Sequence, residues 1–91
     1  MMSKRKFSSA AVKKGFSENR RKDHIVFILS DEDGDNTRIH TKISHGGGDD
    51  ISDSLVSKMY KELCFPTKED FRRFVECKLS ENDYRELLKN S

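Results

Sequence analysis

Two neighbouring segments with a strand pattern constrain the fold of this chain more than any other feature. Residues 24–30 contain five consecutive apolar side chains, mostly β-branched or aromatic, and residues 37–44 alternate between apolar or threonine side chains and polar ones. The acidic segment 31–36 between them predicts a hairpin turn. Because alternate residues of a strand point to opposite faces, we expect 37–44 to have one face directed to a core and one basic face.

Shorter elements are predicted before these two strands. Residues 1–6 are expected to form a flexible basic tail. Ser8 or Ser9 is placed to cap a short helix, and Gly15 is placed to end it. A first strand is then predicted over residues 17–22, so that three strands follow one another along the chain.

Helices are predicted after the strands. An apolar stripe with helical spacing covers residues 51–63, and Thr67 and Ser80 are placed to begin two further short helices. A helix, three antiparallel strands and then two or three helices predict an α+β fold with the helices on one face of the sheet. A chain of 91 residues has room for one small domain of this kind.

Charge is distributed unevenly along the chain. Residues 1–22 contain eight lysines and arginines against one glutamate, whereas residues 31–53 contain seven acids against two basic residues. A basic first quarter is compatible with a surface that binds nucleic-acid phosphates, but a charge run considered alone favours a solvated, solubilising surface.

Membrane insertion and secretion are not expected. The longest apolar run is five residues, against the roughly 20 that a bilayer-spanning helix needs, and no apolar stretch follows the basic start of the chain. Two cysteines, Cys64 and Cys77, are too few for a disulfide framework, and this favours a reducing cytoplasm. The spacing of these cysteines does not match a zinc site. The acidic residues of 31–42 do not match the spacing of a calcium-binding loop, so no metal is predicted.

Four short motifs follow one another along the chain. They are Lys14-Gly15-Phe16, Asp23-His24-Ile25-Val26-Phe27, Ile43-Ser44-His45-Gly46 and the apolar helix that follows. In this order they resemble the HicA-like toxin family (YcfA-type mRNA interferases) of toxin–antitoxin pairs. The resemblance covers about residues 7–71. The chain departs from the family at Lys22-Asp23, where the family has a Gly-Ser pair before its histidine, and in its long acidic hairpin.

The resemblance implies a double-stranded-RNA-binding-domain-like fold. Its α-β-β-β-α core would cover residues 7–66, with 67–91 as a helical C-terminal extension packed on that core. The implied activity is metal-independent cleavage of mRNA by a single histidine, without a cofactor. The implied partners are RNA and a HicB-like antitoxin protein.

Histidine suits metal-free RNA cleavage because its ordinary pKa of about 6.5 lets it exchange protons near neutral pH. His24 is therefore the candidate general base or acid. If the chain stays extended through Asp23, strand periodicity places Arg20, Lys22 and His24 on one side. The candidate phosphate-binding residues are Arg20, Arg21, Lys22, Arg38 and Lys42; the secondary candidates are His40, Ser44 and His45.

Two other functions remain open from the sequence. The chain could be a non-catalytic RNA-binding module that keeps the fold, because the small pair before His24 is absent. It could also be a protein-interaction module, because its C-terminal third is helical and nearly neutral. Phe71, Phe74 and Tyr84 have helical spacing and are predicted to be core residues rather than base-stacking platforms.

Overall fold

The computed structural model describes residues 2–46 and 48–90, and it has the predicted α+β class. Three strands, β2 (Phe16–Arg20), β3 (His24–Ser30) and β4 (Asn36–Ser44), form an antiparallel sheet with β3 in the middle. Three helices follow this sheet along the chain, as predicted. A separate ribbon pairs β1 with β5. In chain order the elements are β1 (Met2–Ser3), α1 (Lys4–Lys13), β2 (Phe16–Arg20), β3 (His24–Ser30), β4 (Asn36–Ser44), β5 (Asp50–Ile51), α2 (Asp53–Glu62), α3 (Lys68–Val75) and α4 (Glu81–Lys89).

The helices cover one face of the three-stranded sheet. Ile25, Phe27 and Leu29 of β3 are buried on that face, and Ile25 and Phe27 pair with the buried Ile43 and Thr41 of β4. The intervening residues of β3 are only half-buried, and those of β4 are exposed. The strand alternation therefore leaves a second face without a helix, which we call the open face.

An aromatic cluster joins the helices to the sheet. All six phenylalanines and Tyr84 are buried. The centroids of the rings that contact each other lie 4.7–6.2 Å apart. Phe71, Phe74 and Tyr84 are thus core residues, as predicted. The Tyr84 hydroxyl donates to the Leu63 carbonyl at 2.8 Å, and burial raises the pKa of this phenol. The helices after residue 67 are part of the same hydrophobic core as the sheet.

The start of the chain differs from the predicted tail. Met2 is buried and pairs with Ile51, and α1 begins at Lys4 rather than after Ser8 or Ser9. Ser3 caps this helix, because its side chain accepts a hydrogen bond from the Lys6 amide at 3.2 Å. The pairing partner comes from the distant strand β5, so nothing in the local sequence indicates that this segment is ordered. Met1 lies outside the described residues.

Gly15 ends the first helix region, as predicted, and its conformation requires glycine. Its φ is +106°, and a Cβ here would lie 2.7 Å from Nη2 of Arg85. That guanidinium also donates to the Ser30 carbonyl at 2.9 Å, while Ser30 donates its amide to the Gly15 carbonyl. The positive φ is the main constraint, because the Arg85 contact involves the tip of a flexible side chain.

Both cysteines lie at the ends of helices and are exposed and free. Cys64 and Cys77 follow α2 and α3 with φ of 63° and 61°. In each case the next amide donates back to the helix, from Phe65 to the Tyr60 carbonyl and from Lys78 to Arg73. These are Schellman ends, and the cysteines occupy the left-handed position that glycine usually fills. At their starts, α3 and α4 are capped by Thr67 and Ser80, as predicted.

No helix in the described ranges is long and apolar enough to cross a membrane.

Lys14 is a buried cation that holds α1 against the C-terminal helices. Its side chain is 6% exposed, and its ammonium donates to the carbonyls of Phe74 at 2.5 Å and Leu79 at 2.9 Å. The ammonium also lies 4.6 Å from the centre of the Phe74 ring. Because Phe74 is in the last turn of α3, the positive charge also lies at the negative end of that helix dipole, and this interaction is favourable.

We predict that Lys14→Met lowers the free energy of unfolding by about 2–3 kcal/mol, because two carbonyls lose their charged donor in a buried site. Urea denaturation followed by circular dichroism measures the change. Lys13→Met, at the exposed neighbouring position, is the control and should stay within about 0.5 kcal/mol of the parent chain. Equal stability of the two variants would contradict a structural role for the Lys14 ammonium.

Candidate functional site

The β2–β3 connection places His24 at one end of the open face. The Arg21 amide donates to the His24 carbonyl at 2.8 Å, so the chain reverses through Lys22 and Asp23 instead of staying extended. Arg20 pairs with the buried Ile25, which places it on the helix-covered side. The predicted alignment of Arg20, Lys22 and His24 on one side is therefore wrong. Arg21, opposite His24 across the turn, takes that place.

The end of β4 brings a second histidine to the same end of the sheet. Ser44 pairs with His24, and the next residue, His45, donates from Nε2 to the Arg21 carbonyl at 2.7 Å. His40 lies four residues before Ser44 on β4, which is about 13 Å along the strand from the position that pairs with His24. Its Nδ1 donates to the Arg38 carbonyl at 2.9 Å. The predicted secondary candidates Ser44 and His45 thus lie beside His24, whereas His40 does not.

His24 differs from the other two histidines in its environment. Its side chain is half-buried, while His40 and His45 are exposed. Within residues 2–46 and 48–90 its imidazole makes no hydrogen bond or ion pair, whereas each of the other rings is bound to a backbone carbonyl. No described residue therefore occupies the ring nitrogens of His24.

A shallow cleft of about 230 Å³ lies beside His24, between β4 and α2. Strand β4 contributes Lys42, Ile43 and Ser44 to the lining of this cleft. Helix α2 contributes Leu55, Lys58 and Glu62. The lining residues of the cleft thus include a histidine, two lysines, a serine and one glutamate beside two apolar residues. This set can bind an anion and exchange protons with it.

The predicted phosphate-binding cations differ in how they are engaged. Arg20 forms an ion pair with Glu18 at 3.6 Å. Arg21, Lys22, Arg38 and Lys42 are exposed, and their side chains form no ion pair among the described residues. Four of the five candidates are therefore available to bind an anion.

The open face contains no acidic residue along its strands, although the chain has 16 acids in 91 residues. Its cations are accompanied by small polar side chains and by half-buried Val26 and Ile28 in the centre. The strand residues on this face are Ser17, Asn19, His24, Val26, Ile28, Ser30, Asn36, Arg38, His40, Lys42 and Ser44. Positive charge is therefore not compensated locally on the open face.

The acidic hairpin lies at the opposite end of β3 from His24. One oxygen of the Asp31 carboxylate accepts the amides of Asp33 and Asp35, each at 2.9 Å, so this side chain holds its own turn together. The seven residues of β3 separate the hairpin from His24 by about 20 Å. The hairpin therefore does not shield the candidate site. No group of three or more potential metal ligands occurs among the described residues.

The segment that carries Ser44 and His45 is held by the start of the chain. The Lys4 ammonium donates to the Gly46 carbonyl at 2.7 Å and to the carbonyl and hydroxyl of Ser44, both at 3.2 Å. Asp49 accepts from the Ser3 hydroxyl at 2.5 Å and from the Arg5 amide at 3.0 Å. The run of three glycines after His45 includes Gly47, which lies outside the described residues.

Sequence reasoning missed Lys58 and Glu62, which line the cleft. It also missed the hydrogen bonds of Lys4 to Ser44 and Gly46 and those of Asp49 to the start of α1. Lys58 and Glu62 are one helical turn apart on α2, but only the packing of α2 against β4 reveals what they face. Asp49 is 44 residues from Arg5, so no local pattern predicts that contact.

Comparisons of the chain with protein families, with curated proteins and with solved structures found no match.

We predict that Asp49→Asn flattens the dependence of stability on acidic pH. Hydrogen bonds from the Ser3 hydroxyl and then from the Arg5 amide lower the pKa of Asp49 below its ordinary value of 3.8. A group whose pKa falls on folding stabilises the protein above its unfolded value, and that stabilisation is lost as the pH falls through the folded value. Thermal melts from pH 6 down to about pH 2 measure the effect.

The matched control for this experiment is Asp33→Asn, which removes an exposed carboxyl at the other end of the sheet. The control should keep the acid sensitivity of the parent chain. If Asp49→Asn kept it as well, the carboxylate of Asp49 would not be stabilising the folded state.

Proposed function

We propose that this chain is a HicA-like RNA-binding protein that cleaves mRNA without a metal, with His24 as the proton-transferring residue. The observation that carries the proposal is the environment of His24: a half-buried imidazole, free of hydrogen bonds within the described residues, beside a cleft that also contains Lys42 and Lys58. The order of motifs from Lys14 to Gly46 supports the same conclusion through the family that it resembles.

The chemistry needs only groups that this cleft contains. In metal-free RNA cleavage the 2′-hydroxyl attacks the adjacent phosphorus, and charge develops on the phosphoryl oxygens. An imidazole transfers the proton, and ammonium groups stabilise the developing charge more strongly than they stabilise the ground state. His24 supplies the first function, and Lys42 and Lys58 supply the second.

Affinity for RNA comes from the cations around the cleft. Arg21, Lys22, Arg38 and Lys42 are exposed and unpaired in the described part of the chain, and each can release a condensed counterion from a phosphate. The absence of acids along the open face keeps this attraction uncompensated. Arg20 contributes less, because Glu18 already neutralises it and because it lies on the other side of the sheet.

The family resemblance also supports a partner and a location. A HicB-like antitoxin protein would neutralise the toxin in the cytoplasm. An anionic or acidic surface on that partner would complement the open face.

A non-catalytic RNA-binding module is the second candidate. Lys22 and Asp23 form the turn before His24, where the family has a small Gly-Ser pair, and this is the position at which the chain departs from the active pattern. Binding without cleavage would select this function. No affinity for RNA at low salt, together with co-purification of a protein, would instead select a protein-interaction module.

We predict that the purified chain cleaves RNA in the presence of EDTA and that His24→Ala lowers the cleavage rate by about 100- to 10,000-fold, because a proton-transfer group is lost. Gel analysis of a 5′-labelled transcript measures the rate. His40→Ala, a change of the same type about 13 Å away, is the control and should retain activity. Equal cleavage by the parent chain and by His24→Ala would contradict the catalytic role.

We predict that the double variant Arg38→Ala/Lys42→Ala weakens RNA binding and lowers its salt dependence. For single strands, loss of two phosphate contacts reduces the slope of log K against log salt by about 1.4. Fluorescence anisotropy with a labelled oligonucleotide at several salt concentrations measures it. A Lys68→Ala/Lys78→Ala variant, with its charges on the C-terminal segment, should leave the slope unchanged. An unchanged slope in both variants would place the RNA elsewhere.

A further inference from the structure

Strand β4 forms one edge of the three-stranded sheet, and the direction of its backbone groups follows from its neighbour β3. The Arg21 amide donates to the His24 carbonyl, and the Ser30 amide donates to the Gly15 carbonyl. The first and last residues of β3 therefore direct these groups toward β2. Because backbone groups alternate in direction along a strand, the even-numbered residues of β3 bond with β2 and the odd-numbered ones bond with β4.

The outer side of β4 is an open backbone edge. His24, Val26 and Ile28 pair with Ser44, Lys42 and His40, so these three residues of β4 direct their backbone groups away from β3. The Ser44 carbonyl agrees with this direction, because it accepts from the Lys4 ammonium outside the sheet. The amides and carbonyls of His40 and Lys42 have no hydrogen-bond partner among the residues that the structure describes, and both residues are exposed.

The surroundings of this edge differ on its two sides. On the open face, Arg38 and Lys42 are exposed and form no ion pair within the described ranges. On the helix-covered side, α2 presents the half-buried Leu55 with Lys58 and with Glu62, whose carboxylate is already bonded to β4. A strand added at this edge would alternate its side chains between the two sides. Acidic side chains complement the first side, and apolar ones fit over Leu55.

We propose that β4 accepts an acidic, extended segment of a partner protein as a fourth strand of the sheet. Main-chain hydrogen bonds to His40 and Lys42 supply affinity, and alternate side chains supply specificity, with acids beside Arg38 and Lys42 and apolar residues over Leu55. The cleft beside His24 lies along the same edge, so the bound segment would cover it. Binding of the segment does not require that the chain cleave RNA.

A second copy of this chain is a poorer occupant of the edge. Two β4 strands paired with each other would place Arg38 and Lys42 of one copy beside the same cations of the other, and like charges on neighbouring strands are destabilising. Lysine on an edge strand is also a common protection against self-association. The charge of the edge thus favours an acidic partner.

The other edge of the sheet does not offer the same surface. Strand β2 has five residues, and helix α1 packs against it. Its cation Arg20 is paired with Glu18 at 3.6 Å. An acidic segment would therefore find less uncompensated charge at β2 than at β4.

The probe for this proposal is a fluorescein-labelled peptide of about eight residues in which glutamate and valine alternate. Fluorescence anisotropy at low salt should show saturable binding to the parent chain, and replacing the glutamates by lysines should abolish it. N-methylation of alternate residues removes amide donors from one edge of the peptide only. One methylated set should weaken binding by about tenfold or more and the other should bind normally, because a strand bonds to β4 through one edge.

The sensitive set is the glutamates for an antiparallel strand and the valines for a parallel one, because their backbone groups then face β4. Equal affinity of both methylated sets would overturn strand addition and leave only charge attraction. No saturable binding of the unmodified peptide at millimolar concentration would overturn the proposal altogether. These assays contain no RNA, so their failure is distinct from failure of the proposed function.

A variant of the chain tests the same edge from the other side. His40→Pro removes an amide that points away from β3, and proline is tolerated at such edge positions. It should bind the peptide about tenfold more weakly than His40→Ala, which keeps the amide and should bind like the parent chain. Equal binding by the two variants would contradict the proposal. If His40→Pro does not fold, as circular dichroism would show, the methylated peptides decide with the parent chain alone.

Sedimentation equilibrium of the parent chain tests the competing occupant. The chain alone should be monomeric. A dimer that is present for His40→Ala and lost for His40→Pro would overturn the acidic segment in favour of a second copy at this edge.

Discussion

The contacts among seven buried aromatic rings are the interaction on which the rest of this structure depends. Phe7 of α1 contacts Phe27 of the sheet and Phe71 of α3, while Phe16 and Phe65 contact Tyr84 of α4. Each ring buries a large apolar area, and edge-to-face pairs add about 0.5–1.5 kcal/mol beyond that. In a 91-residue chain with only 33% apolar residues, such a cluster supplies a large share of the core. Because its members belong to α1, α3, α4, the sheet and the residue Phe65 that follows α2, it holds these helices on one side of the sheet.

The one-sided core has a direct consequence for the surface. Because the helices occupy one face of the sheet, the alternate residues of β3 and β4 are left on the open face, where cations and histidines are not matched by acids. The acids of the β3–β4 hairpin lie at the far end of β3, where the Asp31 carboxylate accepts two amides of its own turn. The fold thus keeps the acids of the hairpin away from the end of the sheet that carries His24, where the neighbouring carboxylates are those of Asp23 in the β2–β3 turn and Glu62 in the cleft lining.

The elements that follow from local patterns were predictable. A run of β-branched and aromatic residues identified β3, alternation identified β4, the apolar stripe identified α2, and Thr67 and Ser80 marked the starts of α3 and α4. The start of α1 was missed, because its local cap, Ser3, is held in place by Asp49 and β5, which are distant in the sequence. The side of the sheet on which Arg20 lies was also missed. The prediction assumed an extended chain from Arg20 to His24, but Lys22 and Asp23 form a turn that interrupts the alternation of sides.

The sequence by itself determined the α+β class, the order of the elements and the identity of the core aromatics, because periodicity and burial of apolar surface act on neighbouring residues of one chain. It also singled out His24 as the candidate for proton transfer. Only the tertiary structure decided which side chains surround that histidine. Lys58 and Glu62 reach the cleft because α2 packs beside β4, and Ser44 and His45 lie next to His24 because of the strand register. Contacts between distant segments depend on how whole elements pack, and short sequence patterns contain no record of that packing.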